Sequence, residues 1–258
     1  MTDKDLLYEV ENHVATITIN REAQRNAISP DALTRFHEYL DSAEADESLR
    51  VVCITGSGEK AFCSGADLAG GLGGDGDSQG LFDRYARLIS RLAAFPKPTV
   101  ARVNGYCLAG GMGLMLACDI VIAADSARFG MPEINVGLWP MMISALVHRH
   151  LTPKQALPLM MSGTPFTAAQ AYDWGLISAV APAAELDDAV AAMATNLAAK
   201  SPLVLKIGKN AYRNMQELPL AKALVYLQEQ LALVASTADA REGMRAFREK
   251  RPPRFSGQ

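Results

Sequence analysis

Charge of one sign is what this chain lacks first. Its 25 Lys and Arg stand against 28 Asp and Glu, a net charge of −3, which gives no bulk attraction to nucleic acid or to an anionic membrane. A membrane-spanning run is also missing: Gly105–Cys118 is uncharged but too short and too rich in glycine to cross a bilayer. The N-terminal "MTDKDLLYEV" has no apolar core of the signal-peptide kind. Cysteine is scarce, with Cys53, Cys63, Cys107 and Cys118 set in apolar runs and no C-x-x-C pair, so the expectation is buried free thiols in a reducing compartment, the cytoplasm. Histidine numbers four, and His148 and His150 stand one residue apart, which is wrong for paired metal ligands on a helix. No Cys/His cluster points to zinc, and no metal is expected.

What is present is an ordinary globular composition, 49% apolar and 21% charged. Val14–Ile19 alternates as a half-buried strand does. Ser29-Pro30 opens a helix, serine as N-cap and proline first inside, with Leu33, Phe36 and Leu40 on one stripe. Val51–Thr55, Thr99–Val103 and Asp119–Ala124 read as further strands. Asp119, at the start of the last, reads as a structural residue of the sheet end. A helix is expected near Leu81–Phe95, stopping before Pro96. After Pro182 the periodicity is helical, near 185–200, 202–216, 219–236 and 239–250, and Asp239 with Glu242 has the spacing of a capping box. No strict internal repeat is visible. The glycine-rich Gly70–Gly80 is either a plain surface linker or a mobile lid beside a pocket.

The stretch "GYCLAGGMGLMLACD", Gly105–Asp119, sits between two of these strands. It is not a P-loop, because it has no lysine. It is not a dinucleotide fingerprint, because the third glycine after Gly111 and Gly113 is missing. It is not a nucleophile elbow, because it has no serine. A strand, a glycine turn and a helix start remain. Glycine there either lets a ligand reach free backbone N–H groups or lets helix and sheet pack closely. A carbonyl oxygen acquiring negative charge is what such N–H groups suit. "AFCSGADL", Ala61–Leu68, supplies a second turn of the same kind, so two turns from separate strands could converge on one oxygen.

These two segments, together with "RNAIS" (Arg25–Ser29), "ARFGMPEINVGLWP" (Ala127–Pro140), "SGTPFTAAQAYDWGLISAVAP" (Ser162–Pro182) and the ending "EGMRAFREKRPPRF", resemble in order the enoyl-CoA hydratase/isomerase, or crotonase, family over nearly the whole chain. The resemblance implies an α/β fold, a crotonase-like spiral of ββα units. The acyl-CoA-binding core would occupy residues 1–195, and a C-terminal helical oligomerisation region, 196–258, would build a homo-trimer or a hexamer. It implies an acyl-CoA thioester as substrate and, since coenzyme A is part of that substrate, no separate cofactor. The backbone N–H groups of Ala66 and Gly110 would form an oxyanion hole. Arg25, Ala27, Ser64, Asp67 and Leu68 would lie along the CoA, with Tyr106, Pro132 and Trp139 also on the substrate. Lys250 and Arg251 are either further CoA contacts or part of a solvated basic face.

The chain departs from the family at one functional position. Hydratases of the family carry two glutamates facing the double bond; the first aligns with Gly113 and is absent, the second with Glu133 and is present. Spacing alone reads Glu133 as a solvated loop carboxylate, and the resemblance makes it the catalytic residue. A single carboxylate suits shuttling a proton between two carbons of an enoyl thioester. The expectation is therefore double-bond isomerisation, with hydration of a 2-enoyl-CoA as the alternative and a non-catalytic acyl-CoA-binding subunit as the reading from another class. Leu138–Met142 is either the wall of an apolar acyl pocket or core packing; if the former, the bulk of Met141 and Met142 marks a remodelled site.

Overall fold

The computed structural model describes residues 5–67 and 78–258; Leu68 and most of the glycine-rich Gly70–Gly80 segment lie outside the described residues. Strands β1 (Leu6–Glu11), β2 (Val14–Ile19) and helix α1 (Pro30–Ala45) open the chain. Ser29 caps α1 through its side chain, which accepts from Ala32 N at 3.1 Å, with Pro30 in the first turn and Leu33, Phe36 and Leu40 buried.

Three ββα passages follow. The first is β3 (Val51–Gly56), β4 (Ala61–Cys63) and α2 (Ser78–Ala93). The second is β5 (Thr99–Val103), β6 (Tyr106–Leu108) and α3 (Gly110–Leu116). The third is β7 (Ile120–Ala124), β8 (Arg128–Gly130), a 3-10 turn (Pro132–Val136) and α4 (Met141–Val147). In each passage the first strand joins one sheet and the second strand another. With β9 (Phe166–Thr167) and β10 (Ala179–Ala181), the described strands form a sheet of order β1-β2-β3-β5-β7-β10 and a smaller one of order β4-β6-β8-β9. Pairing is parallel except for β1 with β2 and β8 with β9. A structural repeat is thus present where the sequence shows none, because what repeats is chain direction and burial.

The short crossing from one sheet to the other carries few backbone partners, and two buried asparagines supply them. Asn26, wholly buried and left-handed at φ 56°, donates to Ser57 O at 3.0 Å and Ala61 O at 2.6 Å and accepts from Arg21 N at 3.0 Å. Asn104 donates to Gly56 O at 3.0 Å and Gly58 O at 2.5 Å. Both hold the same crossing, between β3 and β4, just before the segment that leads to Ala66.

Helices α5 (Pro153–Ser162) and α6 (Ala168–Asp173) complete the core. Helix α7 (Leu186–Ala198) packs on β3, β5 and β7, and α8 (Pro202–Met215), α9 (Leu220–Ala235) and α10 (Ala238–Glu249) follow. The expected division at 195/196 falls in the last turn of α7. Asp119 lies one residue before β7 and accepts from Thr99 N at 2.7 Å, from the Thr99 hydroxyl at 2.9 Å and from the Lys209 ammonium, joining the sheet end to α8.

The expected Asp239/Glu242 capping box is not what forms. Thr237 caps α10, accepting from Ala240 N at 3.0 Å. Asp239 is instead buried against Ser201, Ser256 and Gly257, and Glu242 binds Arg245, Arg251 and the amide of Arg254. The same spacing serves tertiary contacts because the C-terminal tail folds back over the helix. All four cysteines are buried and unpaired, and burial pushes the Cys53 and Cys63 thiols up to about 12. Among the described residues no helix is long and apolar enough to cross a membrane, and no group of three or more His, Cys, Asp or Glu could hold a metal ion.

Asn26→Ala removes the side-chain partner of the Ser57 carbonyl and of the Arg21 amide and leaves the Ala61 carbonyl only its longer bond from Asn104, at 3.3 Å. Each buried group left without a partner costs about 1–3 kcal/mol, and the loss is read as a lowered denaturant midpoint at unchanged slope.

Candidate functional site

The smaller sheet positions the site. Strands β4, β6 and β8 lie side by side and parallel, so the segments after their C-terminal ends emerge at one edge. After β4 comes Ser64-Gly65-Ala66, after β6 Ala109-Gly110, and after β8 Met131-Pro132-Glu133. Carboxyl ends of parallel strands are where open α/β sheets present ligand sites.

The first two turns touch. Gly65 has φ +104°, and a Cβ there would stand 2.8 Å from the Ala109 methyl, so glycine is required both by conformation and by space. Ala109 has φ 48° and ψ −126°, a region alanine rarely enters, and such strain collects at functional turns. Its amide holds Gly130 O at 3.0 Å, and its carbonyl accepts from Met112 N at 2.9 Å.

Ala66 forms a parallel bridge with Ile28, in which Ile28 N donates to Gly65 O at 2.8 Å and Asp67 N to Ile28 O at 3.0 Å. Those neighbours point toward Ile28, so by strand alternation the Ala66 N–H points the other way, toward Gly110. A Cβ built on Gly110 would lie 3.6 Å from Ala66 N. Gly110 N begins α3 and so has no acceptor within the helix. The arrangement is a pair of adjacent amide donors, able to receive one oxygen.

Glu133 stands in the first turn of the 3-10 segment, half-buried, with its Oε2 buried and without a partner among the described residues. Burial raises its pKa above the usual carboxylate value, opposed only by its own backbone N–H. Pro132 and Trp139 flank this turn, both half-buried, Trp139 packed on the core. Met141 is 70% exposed while Met142 packs on the core, so the two methionines have different surroundings.

The other predicted residues divide into two groups. Arg25, Ala27, Ser64 and Asp67 are brought together: Ser64 N donates to Arg25 O at 3.1 Å, and Arg21 holds both Ala27 O and the Asp67 carboxylate at 2.8 Å. The Arg25 side chain is exposed beside them. Tyr106, 47% exposed, is not brought to this edge. It opens β6, its amide on Lys60 O at 3.0 Å, at the end of the strand opposite to the one that leads into Gly110. Arg251 is paired with Glu242 and Glu249, and Lys250 closes α10 in a left-handed conformation. A concavity of about 740 Å³ along α10, lined by Arg241, Met244, Phe247 and Arg248 among others, holds none of the predicted site residues.

One residue of the site is missing from the sequence reading. Tyr85 on α2 is 92% buried by complement of its 8% exposure, and its hydroxyl donates to Gly110 O at 2.5 Å. A Cβ on Gly113 would stand 2.2 Å from that hydroxyl oxygen. Along α2 the residues Leu81, Tyr85, Leu88 and Leu92 make an ordinary buried stripe. The only signal in the sequence is the vacancy at Gly113, which does not say what fills it.

Compared with known proteins, the architecture is the crotonase fold. It superposes on a crystal structure of enoyl-CoA hydratase from Bacillus anthracis with a TM-score of 0.93 at 31% identity, covering 99% of this chain and 100% of that one. The enoyl-CoA hydratase/isomerase family model matches residues 9–258, and the chain belongs to that family. It is 37% identical to the 2,3-dehydroadipyl-CoA hydratase of Escherichia coli over 98% of this chain and 99% of that protein. It is 31% identical to the (E)-benzylidenesuccinyl-CoA hydratase of Thauera aromatica over 96% and 98%.

Gly113→Ala forces the Tyr85 ring to move. Overpacking of this kind costs about 1–3 kcal/mol, and denaturant melts are expected to show it. In a Tyr85→Ala background the further cost of Gly113→Ala should fall close to zero, since contacting residues are not additive.

Proposed function

We propose that this chain acts on an enoyl-CoA thioester as a double-bond isomerase, with Glu133 as its proton-transferring carboxylate. The observation that carries this reading is a buried Glu133 Oε2, without a partner among the described residues, on the same sheet edge as the Ala66 and Gly110 amides. The thioester oxygen lies between the two amides, which strengthen their hold as negative charge develops on it. Glu133 takes a proton from C2 of a 3-enoyl thioester, the electron pair moves into the dienolate, and the same proton returns at C4 as the double bond reaches C2–C3. No water enters the balance. Partial burial keeps the carboxylate poorly solvated and therefore more basic.

The CoA moiety runs along Arg25, Ala27, Ser64 and Asp67, whose backbone links make one continuous ledge toward Ala66. Pro132 and Trp139 border the acyl end. Hydration of a 2-enoyl-CoA is the second reading, favoured by the hydratase names of the two relatives. It asks Glu133 alone to activate a water. A binding-only subunit is the third, and a half-buried glutamate on the same sheet edge, its Oε2 without a partner among the described residues, has no use in it. The buried thiols are consistent with a reducing, cytoplasmic setting.

The products decide between the readings. Purified protein given 3-enoyl-CoA is expected to yield a conjugated thioester of unchanged mass, and a gain of one water from 2-enoyl-CoA marks hydration instead. Glu133→Gln is expected to lower kcat by about 10²–10⁴-fold while acyl-CoA binding persists; full activity in this variant removes Glu133 from the mechanism. Because burial raises the Glu133 pKa, the base is protonated at low pH, and kcat/KM should rise with pH through a limb above the usual glutamate value of 4.5. Gly110→Val, whose side chain covers the Ala66 amide, should abolish turnover in a folded protein.

The helical end supports the expected assembly. Leu220, Leu224, Leu231 and Leu233 of α9, Tyr212 of α8 and Phe247 of α10 are each at least half exposed, Phe247 at 86%. Apolar surface in this amount marks an interaction face, and we propose a homo-trimer built on it, with sedimentation equilibrium expected to give a multiple of three chain masses.

A further inference from the structure

We propose that Tyr85 is a positioning and reaction-specificity residue, its hydroxyl holding the Gly110 carbonyl, and through the Gly110 Cα the adjoining peptide that bears the Gly110 N–H, and occupying the volume in which a side chain at position 113 would act on water. This rests on the reading above that a thioester oxygen lies between the Ala66 and Gly110 amides.

Three observations carry it. The Tyr85 hydroxyl donates to Gly110 O at 2.5 Å, one Cα away from the peptide that bears the Gly110 N–H, and a Cβ built on Gly110 would lie 3.6 Å from Ala66 N. The Tyr85 oxygen lies 3.4 Å from that same Cβ, so the hydroxyl stands beside the amide pair. At Gly113 a Cβ would meet the hydroxyl at 2.2 Å, the ring carbon bearing it at 3.3 Å and Ile143 at 3.5 Å, so the ring fills this space together with α4.

The chemistry follows from the donor count. A phenol has one hydrogen to donate, and here that hydrogen is committed to Gly110 O. Toward the site Tyr85 therefore offers only a weakly basic oxygen. Activating a water with two carboxylates needs a second strong acceptor, which the phenol does not supply. Its burial holds its pKa well above the usual phenol value, so it stays neutral. Among the described residues of the site, Glu133 is then the one mobile proton carrier, which suits transfer between two carbons. Gly110, with no side chain of its own to brace it, is held by a group from a different helix.

Three variants of the 258-residue chain test this. Tyr85→Phe keeps the ring and removes the bond to Gly110. It is expected to melt within a few degrees of the parent, to lose about tenfold in kcat, the equivalent of one hydrogen bond, and to keep KM within about twofold. Binding of cinnamoyl-CoA gives a readout independent of turnover: polarisation of its carbonyl by the amide pair shifts its absorbance to the red, and Tyr85→Phe should diminish that shift. Gly113→Glu alone should fold poorly or bind acyl-CoA weakly, and the Tyr85→Ala/Gly113→Glu pair should restore binding and raise the ratio of hydration to isomerisation by at least about tenfold.

A Tyr85→Phe protein with the parent's kcat and red shift overturns the positioning role. A folded double variant with the parent's product ratio overturns the specificity role. Glu133→Gln run alongside separates the two levels: activity retained there defeats the proton-transfer reading, while the red shift still decides the part played by Tyr85.

Discussion

The parallel pairing of β4, β6 and β8 is the constraint on which the candidate site depends. Each strand is only three residues long, and none would persist alone. Joined side by side, they fix where three loops leave the sheet, and so bring Ala66, Gly110 and Glu133 to one edge from distant parts of the chain. The larger sheet supplies the rigidity: β3 is buried along its whole length, and Asn26 and Asn104 fasten the crossing that leads from it to β4. The placement of the amide pair is therefore inherited from the core beneath it.

Small side chains are the second requirement. Gly65 makes room for the Ala109 methyl, and Ala109 accepts a backbone conformation more natural to glycine. These residues do no chemistry themselves. They let two pieces of backbone approach closely enough that one oxygen can meet both amides, which an additional methyl at residue 65 would prevent.

Strands β2, β3, β5 and β7, the capped helix α1 and the helical C-terminal end were legible in the sequence, because they carry sustained periodicity or apolar runs and recognisable caps, whereas β1, whose residues grow exposed toward Glu11, was not read. The two glycine turns were legible as turns, and the resemblance to a known family attached Ala66, Gly110 and Glu133 to them. The three-residue strands were not legible, since a run so short shows no period. Asn26 stood inside a segment read for its neighbours Arg25 and Ala27, although its buried side chain is what the segment is built around. Asp239 and Glu242 matched a local capping pattern and were claimed by the C-terminal tail. Tyr85 was hidden for a different reason: a tyrosine in an apolar stripe carries the same pattern whether its hydroxyl meets solvent, a carbonyl or the space over a glycine.

The contact between Tyr85 and Gly113 has a consequence for descent. A long side chain at 113 and a phenol at 85 cannot share the same space, so the two arrangements are mutually exclusive tenants. A lineage passing from one to the other cannot add the newcomer first; it must go through a chain with the space partly empty, and that intermediate has neither the second carboxylate nor the brace on Gly110. The two positions should therefore change together across relatives, in a fixed order: first the departure, then the replacement.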